Sequence, residues 1–335
     1  MAVLPRNRLK LTALLVLVVC GALLGCGAGS RTAVTGPGEA PPPQNDDISR
    51  LSPSLGDLQV FPPDNPWNTD ISKYPVHPNS EAFIKSIGED KPLHPCFGST
   101  YNGVPNGIPY ALVKSSQPKV PITFEYADES DPGPYPIPDD AAIEGGPGSD
   151  GDRHVLVIDT DNKILYEVYR SFKNADGWSG GSGAIFDLKS NKLRPMGWTS
   201  CDAAGLPIFP GLVRYDEVVE KGEINHALRF TVRRSQRGYI LPATHFASRR
   251  DDPNLPPMGL RVRLKADYDI SAFPKEVQVI LKALKKYGMI VADNGGDWYV
   301  TGAPSPKWDD EVLSAMKRVK GSDFEAVDTG PIHTD

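Results

Sequence analysis

Chemistry-bearing residues are densest between Gly197 and His245, in the run GWTSCDAAGLPIFPGLVRYDEVVEKGEINHALRFTVRRSQRGYILPATH. Its carboxylates Asp202, Asp216 and Glu217 could supply the two acids that glycoside hydrolysis sets across one bond. His226, His245, Tyr215 and Arg229 suit a different reaction, in which a polysaccharide lyase abstracts the proton beside a uronate. Beyond this run, Arg261, Arg263 and Lys265 alternate with Leu260, Val262 and Leu264, so a strand there carries a cationic row on one face. Such a row is usually solvated. Lining a groove, Arg261 and Arg263 would instead grip carboxylates or phosphates, with Trp198, Trp298 and Asp293 completing a sugar-binding surface.

Other chemistries lack their residues. There is no strand-to-helix GxSxG elbow, no GxxxxGK[ST] loop and no GxGxxG after a strand-like run. Histidines 77, 94, 154, 226, 245 and 333 include no i, i+4 pair, and no CxxC occurs. No metal site is assigned on this basis. Ca²⁺ is the one cofactor left open, because residues 128–152 hold eight acids and only one basic residue, Arg153, lies just beyond them. An acidic solvated loop is the simpler explanation of that stretch.

The elements that must position these residues read as mostly strands. The 33 Pro and 32 Gly among 335 residues disfavour a largely helical chain. Strand-like runs occupy 108–113, 120–126, 154–159, 163–170, 182–188, 226–234, 237–245 and 258–265, with a hairpin expected at Thr160-Asp161-Asn162. Two further strands flank a tight turn at Asn294-Gly295-Gly296. Helical spacing appears at 79–87, 274–287 and 307–319, where acidic first turns or basic last turns complement the helix dipole. The expected class is therefore α+β and β-rich, an antiparallel sandwich or jelly-roll-like assembly with a few peripheral helices. A charge of 36 Lys+Arg against 42 Asp+Glu argues against nucleic acid as a partner.

The N-terminus carries an export pattern. Arg6, Arg8 and Lys10 precede the apolar run Leu11–Gly25, which is short for a bilayer span. Leu23-Leu24-Gly25-Cys26 resembles the lipobox of bacterial lipoproteins, which implies cleavage before Cys26 and lipidation of its thiol. Cleavage would leave 33 cations against 42 anions, a net of −9. The expected organisation is a signal peptide at 1–25, a Gly/Pro-rich tether at 26–57 and one β-rich domain at 58–330. Gly27 after the lipidated residue fits delivery to the outer membrane or cell surface. Cys96 and Cys201 then form an even pair in an oxidising compartment. A disulfide between them is expected, with two separate buried thiols as the alternative.

From Phe61 to Asp328 the chain is similar to a group of exported bacterial proteins to which no activity is assigned. The likeness rests on FPPDNPWNTDIS, GWTSCDAAGLPIFPGLVRYDEV, PPMGLRVRLK and ALKKYGMIVADNG. It implies export and a shared fold, and carries over no catalytic residue. The functional expectation is a surface-tethered carbohydrate-active enzyme, a glycan hydrolase or lyase, with its site in loops 197–263. A polysaccharide or other extracellular ligand would be its partner, and a lipid anchor its link to the membrane. The alternative is a non-catalytic ligand-binding or structural envelope lipoprotein.

Overall fold

The computed structural model describes residues 51–335. Cys26, the apolar segment before it and the first part of the tether lie outside the described residues. Helix α1 (Ser80–Ile87) leads into β1 (His94–Cys96), a small hairpin of β2 (Thr100–Tyr101) and β3 (Val104–Pro105), then β4 (Tyr110–Val113) and β5 (Ile122–Phe124). Next come β6 (Val155–Asp159), β7 (Ile164–Tyr169), β8 (Phe172–Asn174), β9 (Gly177–Gly180) and β10 (Ser182–Asp187). After a long irregular stretch follow β11 (Leu228–Val232), β12 (Arg261–Leu264), α2 (Lys275–Lys286), β13 (Met289–Asn294), β14 (Tyr299–Thr301), α3 (Asp310–Ser314) and β15 (Phe324–Val327).

These strands make a β-rich α+β sandwich. One sheet runs β1-β14-β11-β13-β12-β15, a second β10-β7-β6-β4, and a third β5-β9-β8. All three are mixed: β1/β14, β11/β13, β4/β6 and β5/β9 pair in parallel. Strand alternation makes β6 and β7 a shared wall. Leu156, Ile158 and Leu165 face the large core that also buries β11–β14, while Val155, Val157, Tyr166 and Val168 face a smaller core against β5 and β9. Helix α2 seals the far side of the first sheet by burying Val277, Ile280, Leu281 and Leu284. Each such side chain contributes about 1.5–3 kcal/mol of transfer free energy.

Several expectations are corrected. The Asn294–Gly296 turn does not close a hairpin, because β11 lies between β13 and β14 and pairs with both. Segment 237–245 is irregular and bridges its neighbours only through Tyr239, to Met258 and His333. Cys96 and Cys201 do not form a disulfide. Cys96 ends an edge strand, whereas the buried Cys201 Sγ sits 3.7 Å from the Ser182 carbonyl oxygen.

The expected cationic row of β12 is not a binding surface. Arg261 donates to the carbonyls of Pro66, Thr69 and Tyr287, and Arg263 to those of Ile71 and Tyr74. Tyr287 is the C-cap of α2, so Arg261 meets the negative end of that helix dipole while fastening the irregular 66–74 segment. Burial pulls the Arg261 pKa down to about 10, only partly offset by Tyr74 and Asp70. Arg263 is also the cross-strand partner of Glu325, at 2.8 Å. Arg261→Ala should therefore destabilise the protein by about 3 kcal/mol, since it orphans three carbonyls at once. Urea unfolding reads this directly, and a loss below about 1 kcal/mol would show that water replaces the guanidinium freely.

Candidate active site

The chemistry-bearing run 197–213 lies between the two larger sheets instead of projecting from them. Leu206, Ile208, Phe209 and Leu212 are core residues. An irregular buried segment must find partners for its peptide groups, and three devices provide them. Ile208 and Phe209 N–H donate to Glu167, at 2.9–3.0 Å, in the middle of β7. Ala204 N–H donates to Ala292 O in β13, and Thr244 N–H to Ala204 O. Gly205 holds φ +74° where a Cβ would lie 2.0 Å from Thr244 Oγ1, so no other residue fits the turn after Asp202.

Asp202 projects from this segment onto Arg229 of β11. Arg229 Nε donates to Asp202 Oδ2 at 2.6 Å, Nη2 donates to Oδ1, and Nη1 donates to Thr301 Oγ1 at 2.6 Å. Asp293 Oδ2 completes the group, 4.0 Å from Nη2. Its presence depends on a register shift. Phe230 pairs with Val291 but Thr231 pairs with Asp293, leaving Ala292 as the extra residue of a bulge. Without it, alternation would turn Asp293 away from the face that Arg229 and Thr231 share. Burial first, and then the Asp202 charge, hold the Asp293 carboxyl well above the usual carboxylate range.

A second pair borders the first. His154, buried just before β6, contacts Glu144 Oε2 through Nδ1 at 2.6 Å and the Cys201 carbonyl through Nε2 at 3.2 Å. Both ring nitrogens thus face acceptors, the arrangement of an imidazolium. Burial opposes that charge, but Glu144 outweighs it and lifts His154 to about 9. Asp152 lies at the edge of this cluster, half-buried, and its carboxyl has no hydrogen-bond partner among the described residues. Desolvation and the charge of Glu144 raise its pKa, against the pull of His154. The ring of Tyr169 stands 5.7 Å from that of His154, and burial beside Asp152 lifts its hydroxyl to about 12.

The other expected residues are distributed elsewhere. Glu217 and His226 form a network with Arg214, at 2.5 Å from Arg214 Nη2 to Glu217 Oε1 and 3.1 Å from His226 Nε2 to Glu217 Oε2, while the buried Arg214 Nε has no hydrogen-bond partner among the described residues. Burial works against ionisation, yet Arg214 and His226 hold Glu217 at about 2. Asp216 accepts from Ser54 Oγ and Leu55 N–H, pinning the chain where it enters the body. Tyr215 packs edge-on against Trp308 under Lys307. His245 is half-buried with Nδ1 2.9 Å from the Ala203 carbonyl, one residue from Asp202. Trp198 is half-buried beside the Arg194 guanidinium.

Trp298, expected as a sugar platform, is fully buried between Phe230 and Phe324. Asp202, Arg229 and Asp293 therefore meet, with His245 nearby. Asp216, Glu217 and His226 do not join them. Glu144, Asp152, His154, Glu167 and Tyr169 were not among the sequence candidates. An acid in the middle of the apolar run ILYEVY was the one available sign for Glu167.

The acids of 128–152 mostly bind protein groups: Glu129 accepts from Thr199, Asp131 pairs with Arg194, and Asp139 with Lys173. Among the described residues, no group of three or more His, Cys, Asp or Glu is arranged to hold a metal ion. No family model, curated protein or solved structure matches the chain.

The raised groups dictate a pH dependence. Burial lifts Glu167 from 4.5 to about 7, the N–H groups of Ile208 and Phe209 opposing. Between those values the unfolded chain ionises while the folded one keeps its proton, so stability falls as pH rises. His154, lifted from 6.5 to about 9, contributes fully below 6.5 and loses that contribution as pH passes through 9. Glu217 acts oppositely, its contribution being lost only as pH falls from 4.5 through about 2. The melting temperature should therefore be higher near pH 5 than near pH 9, and Glu167→Gln should flatten the part of the slope below neutrality. Melting temperatures that stay level or rise across that range would contradict the assignment.

Proposed function

We propose that the protein acts on polysaccharide outside the cytoplasm, held at the bacterial envelope by a lipid on Cys26, with Asp152 as its proton donor. The carrying observation is the half-buried, unpartnered Asp152 carboxyl, its pKa raised by burial, at the rim of the Glu144–His154 cluster. A general acid that cleaves a glycosidic bond needs a carboxyl with a raised pKa and a side open to the leaving oxygen. The paired charges behind it, Asp202 with Arg229 and Glu144 with His154, hold the local field without meeting the substrate. Tyr169 stands beside Asp152 as the neighbouring hydroxyl.

A second reading is a non-catalytic ligand-binding or structural envelope lipoprotein. The buried Arg214–Glu217–His226 and Asp202–Arg229 pairings favour it, since their carboxylates are already committed to protein groups. The two readings separate on turnover. The full-length protein should release reducing ends, or for a lyase the ultraviolet-absorbing unsaturated uronide, from at least one member of a broad polysaccharide panel. Asp152→Asn should lower that rate about 100-fold while the melting temperature holds within about 2 °C, because an uncharged side chain suits this position. Binding without turnover would leave the second reading standing.

A further inference from the structure

An open cleft of about 380 Å³ lies on the third sheet, within the ~300–1,000 Å³ typical of small-ligand sites. Register decides what it presents. Thr123 of β5, Ser179 of β9 and Phe172 of β8 are direct cross-strand neighbours and so share one face. The opposite face carries Ile122 and Trp178 into the smaller core. The outer face is therefore a row of two hydroxyls and one aromatic ring.

Three features suggest that this row is built for a ligand. The Phe172 ring is 42% exposed, and the buried Arg153 guanidinium stacks on it at 4.4 Å. Arg153 is itself fixed by the carbonyls of Pro147, Ser149 and Ser171, so the ring is held in place as a platform. Arg170 and Glu125 border the cleft, both exposed, and neither forms an ion pair among the described residues, the Glu125 carboxylate accepting only from the Tyr126 hydroxyl beside it. Arg170 also sits at φ +49°, a conformation unusual for a non-glycine residue and frequent at functional positions. Its N–H donates to the Asp152 carbonyl at 2.8 Å, which places the cleft one backbone hydrogen bond from the proposed proton donor.

We infer that this cleft is a saccharide subsite for a neutral sugar. Phe172 would stack on the apolar face of the ring, Glu125 accept from its hydroxyls, and Arg170, Thr123 and Ser179 donate or accept along its edge. Neutrality follows from the lining: one cation and one anion leave no net charge to select a uronate, and Glu125 would repel it. The inference rests on the polysaccharide reading for its substrate class, but binding at this cleft is testable without turnover.

The test is calorimetry on the full-length protein with hexasaccharides of β-1,4-glucan, α-1,4-glucan, β-1,3-glucan and β-1,4-mannan, and with oligogalacturonate as the anionic counterpart. At least one neutral probe should saturate. Phe172→Ala should weaken it about tenfold, and Glu125→Gln and Arg170→Ala severalfold, with unchanged melting temperatures. Asp152→Asn should bind like the parent protein. No saturation by any neutral probe overturns the inference, as does binding of oligogalacturonate alone or binding indifferent to Phe172. Turnover with a KM insensitive to Phe172→Ala would refute the subsite and leave the polysaccharide reading intact. Phe172-dependent binding without turnover would do the reverse.

Discussion

The arrangement depends on an irregular segment, 197–213, buried between two sheets. A helix placed there would satisfy its own peptide groups and a strand would pair with a neighbour, but a loop does neither. Each orphaned buried donor or acceptor costs about 1–3 kcal/mol, so leaving even a few unmet would consume most of a domain's stability of about 5–15 kcal/mol. The sheets supply the partners. β7 gives Glu167 to two consecutive N–H groups, β13 gives the Ala292 carbonyl, and β11 gives Arg229 to Asp202. Gly211 shows how closely they approach, since a Cβ there would lie 2.6 Å from that of Arg229.

Ion pairs in this position do not simply add stability. Desolvating Asp202 and Arg229 costs several kcal/mol per ion, and their attraction returns it only because the geometry is bidentate and Thr301 takes the remaining nitrogen. Their stronger effect is on uniqueness. A register slip in β13, or a different path for the loop, would strand a charge in the core. Arg261 and Arg263 fasten the 66–74 segment by the same logic with carbonyls in place of carboxylates. Arginine here mostly joins irregular backbone to regular sheet.

That use of polar groups explains what could be read from the sequence. Helices α1 and α2 and the β6–β7 hairpin were legible because local periodicity and turn residues mark them, although neither helix has a side-chain N-cap hydrogen bond. The alternation of β12 was also read correctly, with Arg261 and Arg263 on one face. What alternation could not reveal is that β12 is an inner strand covered on both sides, so that a row resembling a solvated or ligand-binding face is roofed by residues nearly 200 positions away. The Asn294–Gly296 turn failed for a related reason: the partner of each flanking strand was β11, more than 50 residues earlier. Asp293 was a candidate by residue type, but its place beside Arg229 depends on a one-residue bulge that no local signal announces.

Burial also separates groups that hold the fold from groups free to act. Asp202, Arg229, Glu217 and His226 have the residue types of catalysis, yet each has its hydrogen bonds filled by protein and almost no contact with water. A reacting carboxyl needs an environment that shifts its pKa and an open side from which substrate can approach. Interior networks provide the first and, by being complete, remove the second. Both conditions meet only at the boundary of a network, where a side chain feels the buried charges without being consumed by them. Asp152 stands at such a boundary, its pKa raised by burial and by Glu144 and countered by His154, and Arg170 ties its backbone to the open cleft on the third sheet. On the proposed reading, the interior pairs serve function indirectly, by fixing the field and the backbone beside Asp152.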